Sequence, residues 1–122
     1  MLNPAHYSCK SFETRPWGGF EVAHQDTRCK IKRLYILPHE KTSLQTHKYR
    51  TEHWLVEYGV GKVTLGEQEF DAVVGQQIMV SKNTAHRIEN QGLEMLVIFE
   101  VQHGSLLCEN DIIRLEDKYG RV

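Results

Sequence analysis

Four residues of this chain could together hold a metal ion. Gln45, His47 and Glu52 stand close together, and His86 follows much later. Side chains of a β-strand alternate between its two faces, so Gln45 and His47 would project to the same side of a strand. Two imidazoles, one carboxylate and one amide oxygen leave coordination positions open for water or substrate. We therefore predict one divalent metal ion, zinc as the first choice, with manganese, nickel, iron and cobalt also acceptable to these ligands.

The residues around Glu52 favour an interior position for its side chain. In "EHWLVEY" Glu52 shares its strand face with apolar residues, and a buried carboxylate requires a partner such as a divalent cation. His53 falls on the opposite face, so we do not predict it as a ligand. Taken singly, each candidate also has a simpler interpretation: a polar strand pair, a surface carboxylate paired with Lys48 or Arg50, or, for His86, a hydrogen-bonded histidine.

Short apolar segments separated by turn residues dominate the chain from about Phe20 onward. They are too short for helices and read "CKIKRLYILP", "HWLVEYG", "GKVTLG", "GQQIMVS", "HRIEN" and "LEMLVIFEVQ". Gly and Asn between them suit tight turns. This pattern predicts an all-β sandwich, jelly roll or barrel. We expect residues 1–19 to form an irregular N-terminal arm and residues 20–122 one β-barrel domain, with "ENDIIRLEDKYGRV" as a final strand or a short helix.

Length and charge exclude several classes of function. The 122 residues suit one domain. The 15 basic and 16 acidic residues nearly balance, so we expect no nucleic acid and no membrane as partner, and a small molecule as ligand. The N-terminus lacks a signal-peptide pattern and no apolar segment could span a bilayer, which favours a cytoplasmic protein. The 3 Cys residues are far apart and are expected to be reduced thiols.

Two segments resemble the two motifs of the cupin superfamily. The first, "HEKTSLQTHKYRTEHWLVEYG", runs from His39 to Gly59 and has Gln-x-His where cupins usually have His-x-His, followed by a Glu at the usual spacing. The second, "GQQIMVSKNTAHRIEN", runs from Gly75 to Asn90 and contains a His at the usual position. The resemblance implies a single double-stranded β-helix, the jelly-roll barrel of cupins. It also implies the same ligand set, namely Gln45, His47, Glu52 and His86.

The chain also resembles, more closely, the cupin domain of type II mannose-6-phosphate isomerases, which in bifunctional members accompanies a mannose-1-phosphate guanylyltransferase domain. The resemblance runs from Arg15 to Arg121 and is carried by "RPWGGFEV", "RTEHW", "HRIEN" and "DIIRLEDKYGR". A nucleotidyltransferase domain does not fit within 122 residues, so we expect a stand-alone cupin domain. The resemblance implies a metal-dependent sugar-phosphate isomerase, with mannose 6-phosphate to fructose 6-phosphate, by proton transfer through an enediolate, as the expected reaction.

The same resemblance implies roles for cationic residues. Arg50, between His47 and Glu52, is the predicted catalytic cation. It could stabilise the enediolate or clamp the 6-phosphate through two hydrogen bonds, and the sequence leaves these roles open. Lys48 and Arg114 are further candidates for phosphate binding. Cupins commonly pair through edge strands and N-terminal arms, so we expect a homodimer with "KSFETRPWGGF" at its interface.

Four positions depart from the cupin motifs. His39 replaces a Gly, Tyr49 stands where a further His is common, and Ser81 and Asn83 replace a Pro and a Gly. We expect Asn83 to adopt the left-handed conformation in place of that Gly. These departures support one alternative, a non-catalytic metal-containing cupin that binds a sugar or a sugar nucleotide. An iron dioxygenase is disfavoured by Gln45, and a metal-free sugar-nucleotide epimerase by the full ligand set.

Overall fold

The computed structural model describes residues 12–122, which form eleven β-strands in two antiparallel sheets. The strands are β1 (Phe12–Arg15), β2 (Gly18–Gln25), β3 (Cys29–Ile36), β4 (Leu44–Thr46), β5 (Arg50–Tyr58), β6 (Gly61–Leu65), β7 (Gln68–Ala72), β8 (Gln77–Val80), β9 (His86–Glu89), β10 (Leu96–Gly104) and β11 (Ile113–Glu116). The six-stranded sheet has the order β1-β2-β3-β10-β5-β8, and the five-stranded sheet the order β11-β4-β9-β6-β7. The all-β prediction is confirmed, since residues 12–122 contain no helix.

The core lies between the inner faces of the two sheets. Leu34, Val56 and Ile98 of the six-stranded sheet are buried together with Val63 and Ile88 of the five-stranded sheet in one cluster. Alternation along each strand produces this arrangement, because every second side chain points inward. Strand β5 illustrates the rule, since its inward residues are buried at the start of the strand and the residues between them are more exposed.

The six segments that the sequence predicts as strands are strands β3, β5, β6, β8, β9 and β10, with small differences at their ends. The C-terminal tail, for which strand and helix remained open, contributes strand β11. Strand β7 (Gln68–Ala72) was missed because its sequence, "QEFDA", has few apolar residues to reveal an alternating pattern.

The boundary expected at residue 19 falls inside a strand. Phe12 to Arg15 form β1, which pairs with the beginning of β2, so this part of the chain extends the six-stranded sheet instead of forming an irregular arm. The hairpin is closed at Gly18, where an added Cβ would lie 2.0 Å from the carbonyl oxygen of Tyr35. The remainder of the expected arm, residues 1–11, lies outside the described residues.

Two of the departures from the cupin motifs occupy strained backbone positions. His39 has φ 66° and Asn83 has φ 62°, and both replace a Gly of the motif. This confirms the expectation for Asn83. The same conformation is found at His39, where the steric cost is larger than for Asn because the His side chain is bulkier. The two turns therefore keep the backbone path that Gly allows in the motif, although the side chains differ.

Residues 12–122 contain no helix of the length and apolar character that a transmembrane segment needs.

Candidate metal centre

Three of the predicted ligands meet inside the barrel. His47 directly follows β4, Glu52 lies in β5 and His86 begins β9, and one ligand atom from each lies within 4.8 Å of the other two. Oε2 of Glu52 is 3.3 Å from Nε2 of His47, and Oε1 is 3.8 Å from Nε2 of His86. All three side chains are almost completely buried. Two imidazoles and one carboxylate therefore converge on one point.

Gln45, the fourth predicted ligand, lies beside this group. It is paired directly with His86 across β4 and β9, and its side chain lines the same cavity. Its amide nitrogen donates to the hydroxyl of Ser43 at 3.0 Å. The amide oxygen is therefore the atom with which Gln45 would reach a cation, and its part in the ligand set stays a prediction.

Outer contacts orient the three side chains. Nδ1 of His47 donates to the carbonyl oxygen of Asp111 at 2.6 Å, and Nδ1 of His86 donates to the carbonyl oxygen of Thr84 at 2.9 Å. Both tautomers then carry their lone pair on Nε2, the atom that faces the centre. Nε1 of Trp54 donates to Oε1 of Glu52 at 3.0 Å and holds the carboxylate in place.

Arg50, the predicted catalytic cation, is part of this cluster and is itself buried. Its Nε donates to Oε2 of Glu52 at 2.8 Å, and its Nη2 lies 3.2 Å from Nε2 of His47. A guanidinium only donates hydrogen bonds, so His47 accepts this one through its lone pair. Nη1 also reaches the carbonyl oxygen of Cys108 at 3.3 Å. The guanidinium thus neutralises Glu52 and contacts one of the candidate ligand nitrogens.

The charge states in the cluster suit a cation. Burial lowers the pKa of His47 to about 4, although Glu52 opposes the effect, so its imidazole is neutral at pH 7. Burial works against ionisation of Glu52, but the neighbouring His86, Arg50 and His47 outweigh it and lower the pKa of this carboxyl. An anionic carboxylate and a neutral imidazole are the forms in which Glu52 and His47 would bind a metal.

The donor set fits a divalent cation of the zinc type. Such ions take imidazole nitrogens and carboxylate oxygens from protein side chains that outer hydrogen bonds hold in one orientation. Each of the three side chains here has that outer partner. The side chains of His47, Glu52 and His86 are therefore able to hold one divalent cation between them.

The cluster opens onto a cavity in the barrel interior, and several residues that line this cavity were not predicted from the sequence. Among those lining it are Lys32, Glu100, Gln102 and Glu109. Their inward orientation could have been predicted from the sequence. Lys32 shares the inward face of β3 with Leu34, and Glu100 and Gln102 share the inward face of β10 with Ile98. The opposite faces of these strands are more exposed. Because side chains alternate between the two faces of a strand, this alternation is enough to predict that the polar side chains point into the barrel.

Glu100 is a buried carboxyl group close to the metal candidates. Oε2 accepts a hydrogen bond from Nε1 of Trp54 at 3.1 Å, and Oε1 accepts one from Nε2 of Gln102 at 2.6 Å. Burial raises the pKa of Glu100 above its ordinary value, and the carboxylate of Glu52 raises it further. Glu100 is therefore the cavity carboxyl most able to carry a proton near neutral pH.

Of the remaining residues considered in the sequence analysis, Arg114 lies at the cavity, whereas Lys48 and His53 lie outside it. Arg114 lines the cavity and is paired with Gln45 across β11 and β4, and its Nε is buried without a hydrogen-bond partner among the described residues. Lys48 is exposed, with Nζ 5.4 Å from the ring centre of Tyr49, and is not among the residues lining the cavity. His53 is exposed on the outer face of β5, where its ring stacks on His103.

A second group of candidate ligands, His24, Asp26 and Cys29, lies at the β2–β3 turn. Asp26 has a structural task there, because Oδ1 accepts hydrogen bonds from the backbone nitrogens of Arg28 and Cys29. Its other oxygen, Oδ2, lies 2.8 Å from Nε2 of His24. The group is at the surface and takes no part in the interior cavity.

Comparison with known proteins agrees with this picture. The sequence profile of the family described as "Mannose-6-phosphate isomerase C-terminal" matches residues 3–117. "Xanthan biosynthesis protein XanB" of Xanthomonas campestris pv. campestris is 40% identical over 108 residues, which are 88% of this chain and 23% of XanB. "Mannose-1-phosphate guanylyltransferase" of Klebsiella pneumoniae is 38% identical over 107 residues, covering 88% of this chain and 23% of that protein. The chain thus spans less than a quarter of the length of these relatives.

Solved structures support the fold. An uncharacterized conserved protein with a double-stranded β-helix domain from Klebsiella pneumoniae superposes with a TM-score of 0.73 at 15% identity, covering 96% of this chain and 97% of that one. At this level of identity the likeness establishes the fold alone. The two antiparallel sheets are accordingly the cupin double-stranded β-helix, as the sequence motifs implied.

Proposed function

Because this chain belongs to the mannose-6-phosphate isomerase C-terminal family, we propose that it is a metal-dependent sugar-phosphate isomerase that converts mannose 6-phosphate to fructose 6-phosphate. The observation that carries the proposal is the buried group of His47, Glu52 and His86 at one wall of a cavity that also has Arg50 and Arg114 in its lining. Ligands for a cation and side chains for an anion are thereby present around one cavity.

The proposed reaction moves a proton between C1 and C2 of the sugar through an enediolate. A divalent cation, for which zinc is our first choice, would be held by His47, Glu52 and His86 with Gln45 beside them, and would supply a Lewis acid for the sugar oxygens. Arg50 would place a permanent positive charge near the developing enediolate, since it already contacts two of these side chains. Of the two roles the sequence left open for Arg50, this position favours enediolate stabilisation.

Glu100 is the group we propose to hold the transferred proton. It lines the cavity, and hydrogen bonds from Trp54 and Gln102 fix both of its oxygens. Its raised pKa brings it closer to the working pH than an ordinary carboxyl, as general acid–base catalysis favours. Trp17, Phe20 and Leu34 form an apolar part of the same cavity and would limit access of water to the intermediate.

A second candidate is a domain that binds a sugar or sugar nucleotide without turnover. One observation favours it: the guanidinium of Arg50 already satisfies Glu52 and His47, so the cluster is neutralised by the chain itself. Ligand binding with no product formation would identify this function.

The deciding experiment is a coupled assay of fructose 6-phosphate formation from mannose 6-phosphate. It is run on chelator-treated protein and after addition of zinc, manganese, nickel or cobalt. His86→Ala is the test variant and His53→Ala is the matched control, because His53 lies outside the barrel. Metal-dependent turnover that is lost only in His86→Ala supports the isomerase. Absence of turnover in metal-loaded wild-type protein overturns it and favours the binding domain.

We also propose that the chain is a homodimer in the cytoplasm. The strand β1 lies at the edge of the six-stranded sheet, and exposed sheet edges invite pairing with a second chain. Light scattering at micromolar concentration tests the dimer, and a monomeric mass would contradict it.

A further inference from the structure

Lys30 and Lys32 are two buried cations that share a single anionic oxygen. Both point inward from β3, and their side chains are only 8% and 4% exposed. Nζ of Lys30 lies 3.0 Å and Nζ of Lys32 lies 2.8 Å from Oε2 of Glu109, whose side chain is 42% exposed. Two buried ammonium groups thus meet one carboxylate supplied from the surface. Buried cations need an anion, and Glu109 is the carboxylate that accepts a hydrogen bond from both lysines.

Glu109 belongs to a segment that could release this contact. Residues 105–112 connect β10 to β11 and form no strand, so movement of Glu109 breaks no sheet ladder. The segment is held near its end by Asp111, whose carboxylate accepts hydrogen bonds from the backbone nitrogens of Lys48 and Tyr49. A side chain near a fixed anchor can turn outward to solvent while the chain path is kept.

The two lysines lie at a suitable distance from the metal centre. Lys30 is paired with Gln102, and Gln102 with Glu52, across β3, β10 and β5. Two strand spacings separate Lys30 from Glu52, which is about 10 Å between backbones. A hexose that presents C1 and C2 at the metal centre carries its C6 phosphate at the opposite end of the molecule. The row of paired residues thus has the direction and the length that such a substrate requires.

Two other cations at the cavity, Arg50 and Arg121, have partners that hold them in place. Arg50 is engaged by Glu52 and His47, and Arg121 by Asp117 through two hydrogen bonds. Lys32, in contrast, could exchange one anion for another without leaving its position, because its ammonium also lies 3.9 Å from the ring centre of Phe20. A phosphate dianion offers more charge and more oxygens than a carboxylate, so it satisfies two ammonium groups better.

We propose that Lys30 and Lys32 form the subsite for the phosphate of the substrate, and that the carboxylate of Glu109 fills this subsite until a phosphate displaces it. The proposal rests on the proposed sugar-phosphate substrate, and it assigns the phosphate to residues other than Arg50, Lys48 and Arg114. Glu109 then acts as an internal competitor that keeps the two lysines paired in the free chain.

The test is calorimetric titration of the protein with inorganic phosphate and with mannose 6-phosphate, using mannose as the ligand without a phosphate. Glu109→Gln removes the competing charge and is expected to bind both phosphates several-fold more tightly than wild type. Lys32→Met removes one donor and is expected to bind them about 10- to 100-fold more weakly, as for loss of a charge-assisted hydrogen bond. Lys62→Met is the control, because Lys62 lies in β6 and pairs with Glu69.

The possible outcomes distinguish failure of the phosphate-subsite proposal from failure of the isomerase proposal. Equal or weaker phosphate binding by folded Glu109→Gln overturns the proposal, as does a Lys32→Met protein that binds phosphate like Lys62→Met. Circular dichroism establishes that each variant is folded. Because these titrations need neither metal nor turnover, the subsite stands if phosphate binding follows the prediction while the isomerase assay fails. With turnover present, Glu109→Gln should lower KM for mannose 6-phosphate.

Discussion

Nη2 of Arg50 lies 3.2 Å from Nε2 of His47, the nitrogen that points toward Glu52 and His86. The same guanidinium holds Oε2 of Glu52 through its Nε. Arg50 and a divalent cation would therefore share the task of neutralising Glu52, and a cation at His47 would have to displace the Nη2 contact. Arg50 and the three candidate metal ligands form one electrostatic unit.

Replacement of Arg50 by Met should make stability depend on metal. Without a cation, Glu52 stays buried and uncompensated, and breaking a buried ion pair from one side costs about 3–5 kcal/mol. A bound divalent cation should recover most of this loss. Urea unfolding of wild type and Arg50→Met, each with chelator and with zinc, measures the effect. An equal loss of stability in both conditions would show that the cation does not interact with Glu52.

Replacement of His86 by Ala should weaken binding of a divalent cation. Loss of an outer-shell partner already costs about 10- to 100-fold in metal affinity, and loss of a ligand should cost more. His53→Ala should bind metal as wild type does, since its side chain faces away from the barrel. Titration with zinc in the presence of a competing chelator gives both affinities. Similar affinities in the two variants would remove His86 from the ligand set.

Replacement of Glu100 by Gln should lower kcat by a much larger factor than it lowers metal affinity. A Gln retains the shape but cannot exchange a proton, and general acid–base catalysis contributes about 10²- to 10⁴-fold. Glu69→Gln, an exposed change in β7, serves as the control. Steady-state kinetics with mannose 6-phosphate and metal titration together give the answer. Full activity in Glu100→Gln would show that a group other than Glu100 holds the transferred proton.

The two left-handed residues should respond differently to Gly. His39→Gly removes about 1–2 kcal/mol of backbone strain and adds about 0.5–1 kcal/mol of unfolded-state entropy, so a small gain in stability is expected. Asn83→Gly should change little, because Asn tolerates this conformation. Both side chains are exposed, which limits other effects. Thermal unfolding compares the variants, and a lower Tm for His39→Gly would indicate that its side chain or backbone contacts matter more than φ.

The contact of Glu109 with the lysines should appear in the pH dependence of stability. Burial opposes ionisation of Glu109, but Lys32 and Lys30 outweigh it and lower its pKa from 4.5 to about 2. The folded chain then binds this proton less tightly than the unfolded chain, so the stabilisation is complete above pH 4.5 and is lost as pH falls through 2. Wild type should be more stable than Glu109→Gln at pH 7, and the difference should shrink toward pH 2. Urea unfolding at several pH values measures the free energy of unfolding of both proteins. A difference between wild type and Glu109→Gln that stays the same from pH 7 to pH 2 would contradict the prediction.

Strand period accounts for what the sequence could predict. The inward positions of Glu52 and His86 follow from alternation with apolar neighbours, and the same rule would have found Lys30 and Lys32. Contacts between distant segments could not be derived in this way. The hydrogen bond from His47 to the carbonyl oxygen of Asp111 depends on where the chain returns after β10, which no local pattern encodes.

Turn conformation was predictable where a motif position supplied the comparison. The left-handed backbone of Asn83 follows from its place in the second cupin motif, and that of His39 from its place in the first. The hydrogen-bond partner of Arg50 could not be predicted from the sequence, because a cation near both His47 and Glu52 can contact either. The folded structure shows that Arg50 contacts both.

Glu52 and His86 come from different sheets, since β5 belongs to the six-stranded sheet and β9 to the five-stranded one. An ion bound between them would act as a cross-link through the middle of the barrel. The sheets would then separate more slowly, and the chain would resist proteases for longer wherever the metal is plentiful. The lifetime of the protein would in this way depend on the supply of that ion.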